Sequence, residues 1–451
     1  MPMRVPFRNV DASWLRMDDP TNLMVVTGVL VLESPVPLAR LRALVEERLL
    51  RFRRFTSRVV PPFAGVGLPS WEIDPRFDLD RHLLAASLGP GAGEPALQAF
   101  VSRLLSEPLP ADRPLWTIHL VERFRGGSAI VARIHHCIGD GLALVHVLLS
   151  MADGNPAPER RRSHARSPSR VAWGTTMGEQ VLRGARAVLA HPGRIGDLAR
   201  LASGSAGALL GLLALPDDPP TALKGPLGRP KIAAWSRPFD LDDFKAIGKA
   251  TGSTVNDVLM AALAGALRRF LAGRGEAPRD IDVRGVVPVN LRRPEASGKL
   301  GNRFGLVFLS LPVGMEDPLD RLFEVRRRMR ALKDSSQALA VYEVLWAMGA
   351  APRPLFDLAL RIFAAKGSAV VTNVVGPRQP IAIAGAPLRE AMFWVPSAGR
   401  LALGVSLLSY AGKVWMGLQC DAGLIPDPAG VLDGFAAEVE ELLDLRRQAG
   451  A

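Results

Sequence analysis

Two spacings of apolar residues alternate along the chain, and their alternation predicts a mixed α/β protein. A continuous apolar run at 22–32 predicts a buried strand, and apolar residues at helical spacing follow at 38–52. A second helix is predicted at 95–105. Strands are then predicted at 117–122 and 128–134, on the two sides of an Arg-Gly-Gly turn. The second of these strands runs into IHHCIGDG, after which helical spacing resumes. This motif therefore sits where a strand gives way to a helix.

The pattern is interrupted twice near the middle of the chain. Residues 152–170 are polar and rich in proline and arginine, which is typical of a linker. Helical segments follow to about Leu215, and a second proline-rich break precedes Lys231. We therefore predict an N-terminal domain at 1–151, a linker with a helical crossover at 152–230, and a C-terminal domain at 231–451.

The second half repeats the mixture of helices and strands. A well-buried helix is predicted over 254–271, two helices are predicted within 320–365, and a last helix is predicted at 428–448. The predicted strands lie at 283–289, 305–312, 369–375 and 401–409, and the last of them closes a hairpin with 414–421.

Length and cysteine content narrow the class of protein. A chain of 451 residues is longer than a domain with a single hydrophobic core usually is, so two domains are expected. Its two cysteines, Cys137 and Cys420, cannot form a disulfide framework, which suits a reducing compartment. We find no secretory signal pattern at the N-terminus, so we expect a cytoplasmic protein. The apolar segment Leu198 to Leu215 is too short to span a bilayer, and we expect it to be buried or to lie on a lipid surface.

The formal net charge of +12 favours anionic partners such as phosphorylated cofactors or acidic lipid surfaces. Compositional bias of the source genome explains the excess of arginine equally well. Nucleic acid is disfavoured, because the chain has two tyrosines and no basic stretch interleaved with aromatic residues that could stack on bases.

The paired histidines of IHHCIGDG are the main candidate for chemistry. Neighbouring side chains on an extended backbone point to opposite faces, so His135 and His136 are poor joint ligands and no metal site is predicted. A neutral imidazole can accept and return a proton at physiological pH, which makes His136 a candidate general base. Asp140 either acts on the ring or braces the turn, and we favour bracing. The chain has no GxSxG nucleophile elbow, and Cys137 points away from its neighbour, so direct transfer between two substrates is favoured. A purely structural histidine pair is the alternative.

HHCIGDG and six further motifs, in order along the chain, then carry a resemblance. The chain resembles the bacterial wax ester synthase/diacylglycerol acyltransferases, which are acyl-CoA-dependent HHxxxDG enzymes with the chloramphenicol acetyltransferase-like fold. Besides HHCIGDG and the opening DASWLRMDDPTNLM, the matching segments are PLW at 114–116, ND at 256–257, PVNLR at 288–292, GNRFG at 301–305 and TNVVGP at 372–377.

The resemblance implies two α/β domains, each with a mixed sheet and flanking helices, around a central tunnel. It makes His136 the base that deprotonates the acceptor alcohol, with Asp140 held by an arginine for which Arg292 is the candidate. His135, Gly141 and Asn256 complete the implied catalytic centre. The implied substrate-binding residues are Pro114, Leu115, Trp116, Asp257, Asn290, Arg292, Asn302, Asn373 and Gly376, of which 114–116 would shape the acyl channel.

The implied reaction moves a long acyl group from acyl-CoA, as co-substrate and without a cofactor, to diacylglycerol, with fatty alcohols as secondary acceptors. Peripheral contact with the inner membrane face or lipid droplets is also expected. Two alternatives stay open: an acyltransferase of the same fold acting on another alcohol or amine, and an inactive lipid-binding protein. The intact HHxxxDG motif speaks against the second, because a lipid coat needs no general base.

Overall fold

Extended segments form the framework of the protein in the computed structural model, which describes residues 4–62, 67–154, 214–292, 300–397, 399 and 401–449. The strands are β1 (Val5–Pro6), β2 (Val25–Leu32), β3 (Ser57–Val60), β4 (Ser70–Ile73), β5 (Leu83–Ala86), β6 (Trp116–Phe124), β7 (Gly127–His135), β8 (Lys231–Trp235), β9 (Phe239–Asp240), β10 (Val283–Asn290), β11 (Phe304–Leu311), β12 (Ala369–Val375), β13 (Ala382–Ile383), β14 (Ala386–Trp394), β15 (Leu403–Tyr410) and β16 (Lys413–Asp421).

Helices flank these strands. The α-helices of the described residues are α1 (Asn9–Arg16), α2 (Leu38–Arg48), α3 (Glu94–Ser106), α4 (Gly141–Met151), α5 (Leu241–Thr251), α6 (Val255–Gly273), α7 (Pro318–Lys333), α8 (Gln337–Ala350), α9 (Arg353–Ala365) and α10 (Ala429–Ala449). Helix α6 is buried along most of its length because its apolar residues occupy nearly every position between Val258 and Leu271.

Two large mixed sheets and one small sheet result. The first large sheet has the strand order β13-β14-β2-β7-β6-β5, and the second has the order β11-β10-β12-β15-β16-β8, with β9 paired to β16. Strands β1, β4 and β3 form the small antiparallel sheet. Parallel pairs join β5 to β6 in the first large sheet and β10 to β12 to β15 in the second. Both large sheets are therefore mixed, as the sequence pattern predicts.

The two halves of the chain are interlocked. Strand β14 comes from the second half but pairs antiparallel with β2 in the first sheet. A separate apolar cluster joins Trp14 and Met24 of the first half to Phe304, Leu345 and other residues of the second half. The buried Ser13 hydroxyl of α1 also donates to the Leu345 carbonyl of α8 at 2.5 Å. The domain limits at 151 and 231 stay a prediction, and the first sheet draws strands from both sides of them.

One helix prediction is wrong. The interval 320–365 holds three helices, not two, because a polar Asp-Ser-Ser turn separates α7 from α8 and Pro352 separates α8 from α9. Ala351, which precedes the proline, is extended with ψ 148°, as steric contact with a proline ring requires. The sequence pattern also did not predict the short strands β3, β4 and β5, or β14, which crosses from the second half into the first sheet. Most of the predicted linker and of the apolar segment Leu198 to Leu215 lies outside the described residues.

Among the helices that the structure describes, none combines the length and the apolar character needed to cross a bilayer.

Candidate functional site

The HHCIGDG segment connects β7 to α4. Strand β7 ends at His135. The backbone amide of His136 still donates to the Met24 carbonyl at 2.7 Å, which extends the pairing of β7 with β2 by one residue. Asp140 is the N-cap of α4, and its Oδ1 accepts from the Ala143 amide at 2.9 Å. The sheet and the cap thus fix both ends of the loop that carries His136.

The His136 ring packs against two aromatic side chains that also contact each other. It stacks on Trp14, with ring centroids 4.2 Å apart, and Phe304 lies 5.6 Å from it. Nδ1 is buried and has no hydrogen-bond partner from another residue, so Nε2 is the nitrogen left to face the cavity that His136 lines. The ring therefore turns Nε2 toward a bound molecule and keeps Nδ1 buried in the protein.

Burial keeps this imidazole neutral. Loss of solvation is the largest influence and lowers the pKa of His136 to about 4, although the charge of Asp140 opposes it in part. A neutral imidazole with a free Nε2 can accept a proton, whereas an imidazolium cannot. The site therefore holds His136 in the form that a general base requires at physiological pH.

His135 points away from the cavity. The Cys137 amide donates to His135 Nδ1 at 3.1 Å, and Nε2 lies 3.7 Å from Asp18 Oδ1. His135 is buried and lines neither of the two cavities described below. Its contacts hold the loop in shape, so the structure gives the two histidines different surroundings, as the alternation of side chains on a strand requires.

Asp140 is paired with Arg292. The Arg292 Nη2 donates to Asp140 Oδ2 at 2.6 Å, and the Arg303 amide donates to the same oxygen at 3.0 Å. The same guanidinium donates to the Gly301 carbonyl. The expected contact between Asp140 and Arg292 is thus present, and it ties the loop of the first half to the GNRFG segment of the second.

Asp11, Asn302 and Arg54 form a second set of contacts that supports the loop, and the sequence pattern did not predict it. The fully buried Asp11 accepts from the Asn302 amide at 3.0 Å and from Asn302 Nδ2 at 2.9 Å, and it pairs with Arg54 Nη2 at 2.6 Å. Asn302 Nδ2 also donates to the His136 carbonyl at 2.9 Å. Arg54 donates to the carbonyls of Cys137 and Ile138 at 3.0 and 2.9 Å. Asn302 therefore supports the loop, and no atom of it is placed against a substrate cavity. Asp11 belongs to the opening motif, while nothing in the sequence around Arg54 marks it.

His136 lines a cavity of about 250 Å³ between the two halves. Its walls are mainly apolar, and its polar residues include Asp140, Asn290, Thr372 and Asn373. Asn256 does not line it but accepts from Asn373 Nδ2 at 2.9 Å. The predicted residues Asn290 and Asn373 thus reach the cavity directly, and Asn256 reaches it through Asn373.

A second cavity of about 150 Å³ lies between the first sheet and helix α4, and its lining is almost entirely apolar. Gly141 and Val374 line both cavities. A Cβ atom built on Gly141 would meet no atom within 4 Å, so this residue leaves the junction open. The two cavities are therefore adjacent at Gly141 and Val374.

Several predicted substrate-binding residues lie elsewhere. None of Pro114, Leu115 and Trp116 lines either cavity; they are buried, and Trp116 Nε1 donates to the Phe55 carbonyl at 2.8 Å. The structure does not place these side chains at either cavity, because the Trp116 ring packs instead against Phe55 and His82. The Asp257 carboxylate accepts from the Thr254 amide at 2.8 Å in the capping box of α6.

Gly376 has a structural role, because its backbone lies close to that of Ser409. Its amide donates to the Ser409 carbonyl at 2.8 Å, and an added Cβ would come within 2.7 Å of that oxygen. Glycine is therefore required there by the close approach of two backbones, and Gly376 lines neither cavity.

Comparison with known proteins identifies relatives of the whole chain. Residues 7–259 match the wax ester synthase/diacylglycerol acyltransferase catalytic domain, and residues 300–443 match the C-terminal domain of the same family. A Mycobacterium tuberculosis protein named as a probable diacylglycerol O-acyltransferase, tgs1, is 29% identical over 97% of this chain and 96% of its own length.

Solved structures match the fold. The wax ester synthase/diacylglycerol acyltransferase from Marinobacter aquaeolei VT8 has a TM-score of 0.68 at 22% identity and covers 98% of this chain and 99% of its own. The first condensation domain of the calcium-dependent antibiotic synthetase has a TM-score of 0.62 at 19% identity, with 98% and 96% covered. These matches confirm the predicted mixed α/β architecture of two chloramphenicol acetyltransferase-like units.

Proposed function

The chain belongs to the wax ester synthase/diacylglycerol acyltransferase family, and from this premise we propose that it moves a long acyl group from acyl-CoA to diacylglycerol, and less readily to fatty alcohols. The observation that carries the proposal is the position of His136. A neutral imidazole lines one mainly apolar cavity, a second apolar cavity lies next to the first, and each is suited to a lipid substrate.

In the proposed reaction His136 acts as a general base. Nε2 takes the proton of the acceptor hydroxyl while that oxygen attacks the thioester carbonyl carbon, and a tetrahedral intermediate forms. Collapse of the intermediate breaks the carbon–sulfur bond, and the imidazolium returns the proton to the CoA thiolate. The ester and free CoA are the products, so acyl-CoA is a co-substrate and no step requires a cofactor. Holding both substrates at one junction supplies proximity without a covalent enzyme intermediate.

The developing oxyanion requires hydrogen-bond donors in the cavity. The amides of Asn290 and Asn373 line the cavity of His136 and are our candidates for this role. Asn290 Oδ1 accepts from the Arg292 amide at 2.9 Å, which leaves its NH₂ group to donate into the cavity. Asn256 positions Asn373 through the bond at 2.9 Å.

Product analysis tests the choice of acceptor. The purified protein is offered palmitoyl-CoA together with diacylglycerol and hexadecanol, and the lipids are separated by thin-layer chromatography. We expect triacylglycerol as the main product and wax ester as the minor one. If CoA is released with a sugar or an amine as acceptor, but with neither diacylglycerol nor hexadecanol, the chain would instead belong to another group of acyltransferases with the same fold.

The activity should persist to an unusually low pH. Because burial lowers the pKa of His136 to about 4, the neutral base is lost only when the pH falls through that value. We therefore expect kcat/KM to stay level as the pH falls through about 6.5, the ordinary value for histidine, and to decline only near pH 4. Initial rates of CoA release at constant ionic strength measure this profile. A half-maximal point near pH 6.5 would contradict a desolvated base.

We also propose peripheral contact with a lipid surface. Trp346 of α8 and Leu355 and Leu358 of α9 are large apolar side chains that are 44%, 59% and 47% exposed. Other residues of the same two helices line the cavity of His136, among them Leu345, Met348 and Leu360. A membrane-dissolved acceptor would enter next to these helices, and apolar side chains at an interface insert into the acyl boundary.

Vesicle flotation tests this contact. The double variant Leu355→Glu/Leu358→Glu is expected to bind phosphatidylcholine/phosphatidylglycerol vesicles at least several-fold more weakly than the parent, because charged groups oppose insertion. Ile73→Glu is the matched control, since Ile73 is 47% exposed but lies on β4. Equal flotation of the parent and the double variant would refute the contact through α9.

A further inference from the structure

A row of four side chains crosses the first sheet beneath the second cavity. Gly28 of β2 is paired with Ala132 of β7 on one side and with Phe393 of β14 on the other, and Ala132 is paired with Ile118 of β6. All four residues line the cavity. The two smallest residues thus lie side by side between two large ones, and they form a trough in the face of the sheet.

The backbone does not explain the glycine. Gly28 is not among the residues with positive φ, and a Cβ built on it would meet only the Met392 carbonyl, at an ordinary 3.8 Å. Glycine in a strand interior weakens the strand and often marks a place where a ligand approaches the backbone. The backbone would accept a larger residue at position 28. We therefore attribute the choice of glycine to the open space that it leaves above the sheet.

That space has the chemistry of a hydrocarbon site. On the sheet side, the residues in rows next to the trough are aliphatic, and the opposite wall is formed by Leu41 of α2 and by Leu144, Val147 and Met151 of α4. At Gly141 and Val374 the cavity lies next to the one that contains His136. A chain bound along the trough would therefore have its reactive end near the proposed base.

We propose that the second cavity binds the linear hydrocarbon chain of a substrate and that Gly28 and Ala132 set the chain length it accepts. The inference rests on the proposed function, because it places the chain relative to His136. The same chemistry is offered by the acyl chain of the thioester and by the alkyl chain of the acceptor, and the experiment separates these two sources.

The variants Gly28→Val and Ala132→Val fill the trough. For each, kcat/KM is measured over acyl-CoA donors from butyryl to stearoyl with one acceptor, and over alcohols of increasing length with one donor. Each methylene kept out of an apolar site costs about fourfold in binding. We therefore expect the preference for palmitoyl over octanoyl chains to fall about 10- to 100-fold, while short substrates keep the parent rate. A shift confined to the donor series assigns the cavity to the acyl group, and a shift confined to the alcohol series assigns it to the acceptor.

Two alanine variants on the same strand are the matched controls. Leu30 lines the cavity, whereas Val29 is fully buried and does not line it. Leu30→Ala should extend the preference toward longer chains, and Val29→Ala should lower the melting temperature and leave the length profile unchanged. An unchanged profile in both filling variants, or an equal loss at every length in variants with the parent melting temperature, would overturn the proposal.

A binding measurement keeps the proposal separate from the proposed function. Hexadecanol should raise the melting temperature of the parent, and Gly28→Val should reduce that shift, whether or not the chain esterifies diacylglycerol. Failure of the product analysis with this shift intact would reject the reaction and keep the hydrocarbon site. Palmitoyl-CoA is tested in the same way, and an equal shift in parent and variant with both ligands would reject the site alone.

Discussion

Replacing His136 by alanine is expected to lower kcat with palmitoyl-CoA and diacylglycerol by about 10²- to 10⁴-fold, the usual effect of removing a general base. The structure gives the reason, because no other histidine among the described residues lines the cavity that holds His136. Release of free CoA thiol, followed with a chromogenic reagent, measures the rate. An unchanged rate in a folded variant would remove His136 from the mechanism.

Two further histidines serve as controls for that variant. His82 is also buried and stacked, with its ring 4.6 Å from Trp116 and Nδ1 2.7 Å from the Trp116 carbonyl, but it lies away from both cavities. We expect His82→Ala to lose stability and to keep its activity per folded molecule. His135→Ala should lose stability as much as activity, because its contacts are with the loop backbone and Asp18.

Asp140→Asn is expected to lower the free energy of unfolding by about 3–5 kcal/mol, the cost of removing one partner of a buried ion pair. The side chains of Asp140 and Arg292 are each only 6% exposed, so water cannot replace the lost charge. Asparagine can still accept from the Ala143 amide, so the cap of α4 is retained and the loss reports on Arg292 and the Arg303 amide, which both donate to Oδ2. Urea unfolding followed by circular dichroism measures the difference.

The double variant Asp140→Asn/Arg292→Met should recover part of this loss, because it also removes the uncompensated guanidinium. Glu107→Gln breaks the pair of Glu107 with Arg103, whose side chains are 46% and 58% exposed, and it should cost less than about 1 kcal/mol. A fully stable but inactive Asp140→Asn would contradict the bracing role and would favour a direct effect of Asp140 on the His136 ring.

Local patterns in the sequence were enough to place the HHCIGDG loop. The alternating residues of β7, the Asp-Gly pair and the apolar spacing of α4 are contiguous, so the strand, the turn and the helix could be predicted together. The contrast between His135 and His136 follows from the same alternation. The Arg292 partner of Asp140 was suggested by family resemblance, and the structure places the two groups in contact.

Contacts between distant segments could not be predicted in this way. Trp14 stacks on His136, and Asp11 with Arg54 braces the loop, only because α1 and the segment after α2 pack against the HHCIGDG turn. Nothing in the periodicity around these residues encodes that packing. The PLW motif was recognised in the sequence, but the packing of its side chains depends on distant residues such as Phe55, whose carbonyl accepts from Trp116 Nε1.

The crossing of β14 from the second half into the first sheet also has a consequence for biosynthesis. While the ribosome is still translating the second half, β2 has its β7 partner but not its other one, and its outer row of amides and carbonyls stays open. The first sheet can be completed only after residues 386–394 have emerged, late in translation. Nascent chains that stall or are cleaved before that point are expected to be prone to intermolecular strand pairing, and so to depend on chaperones.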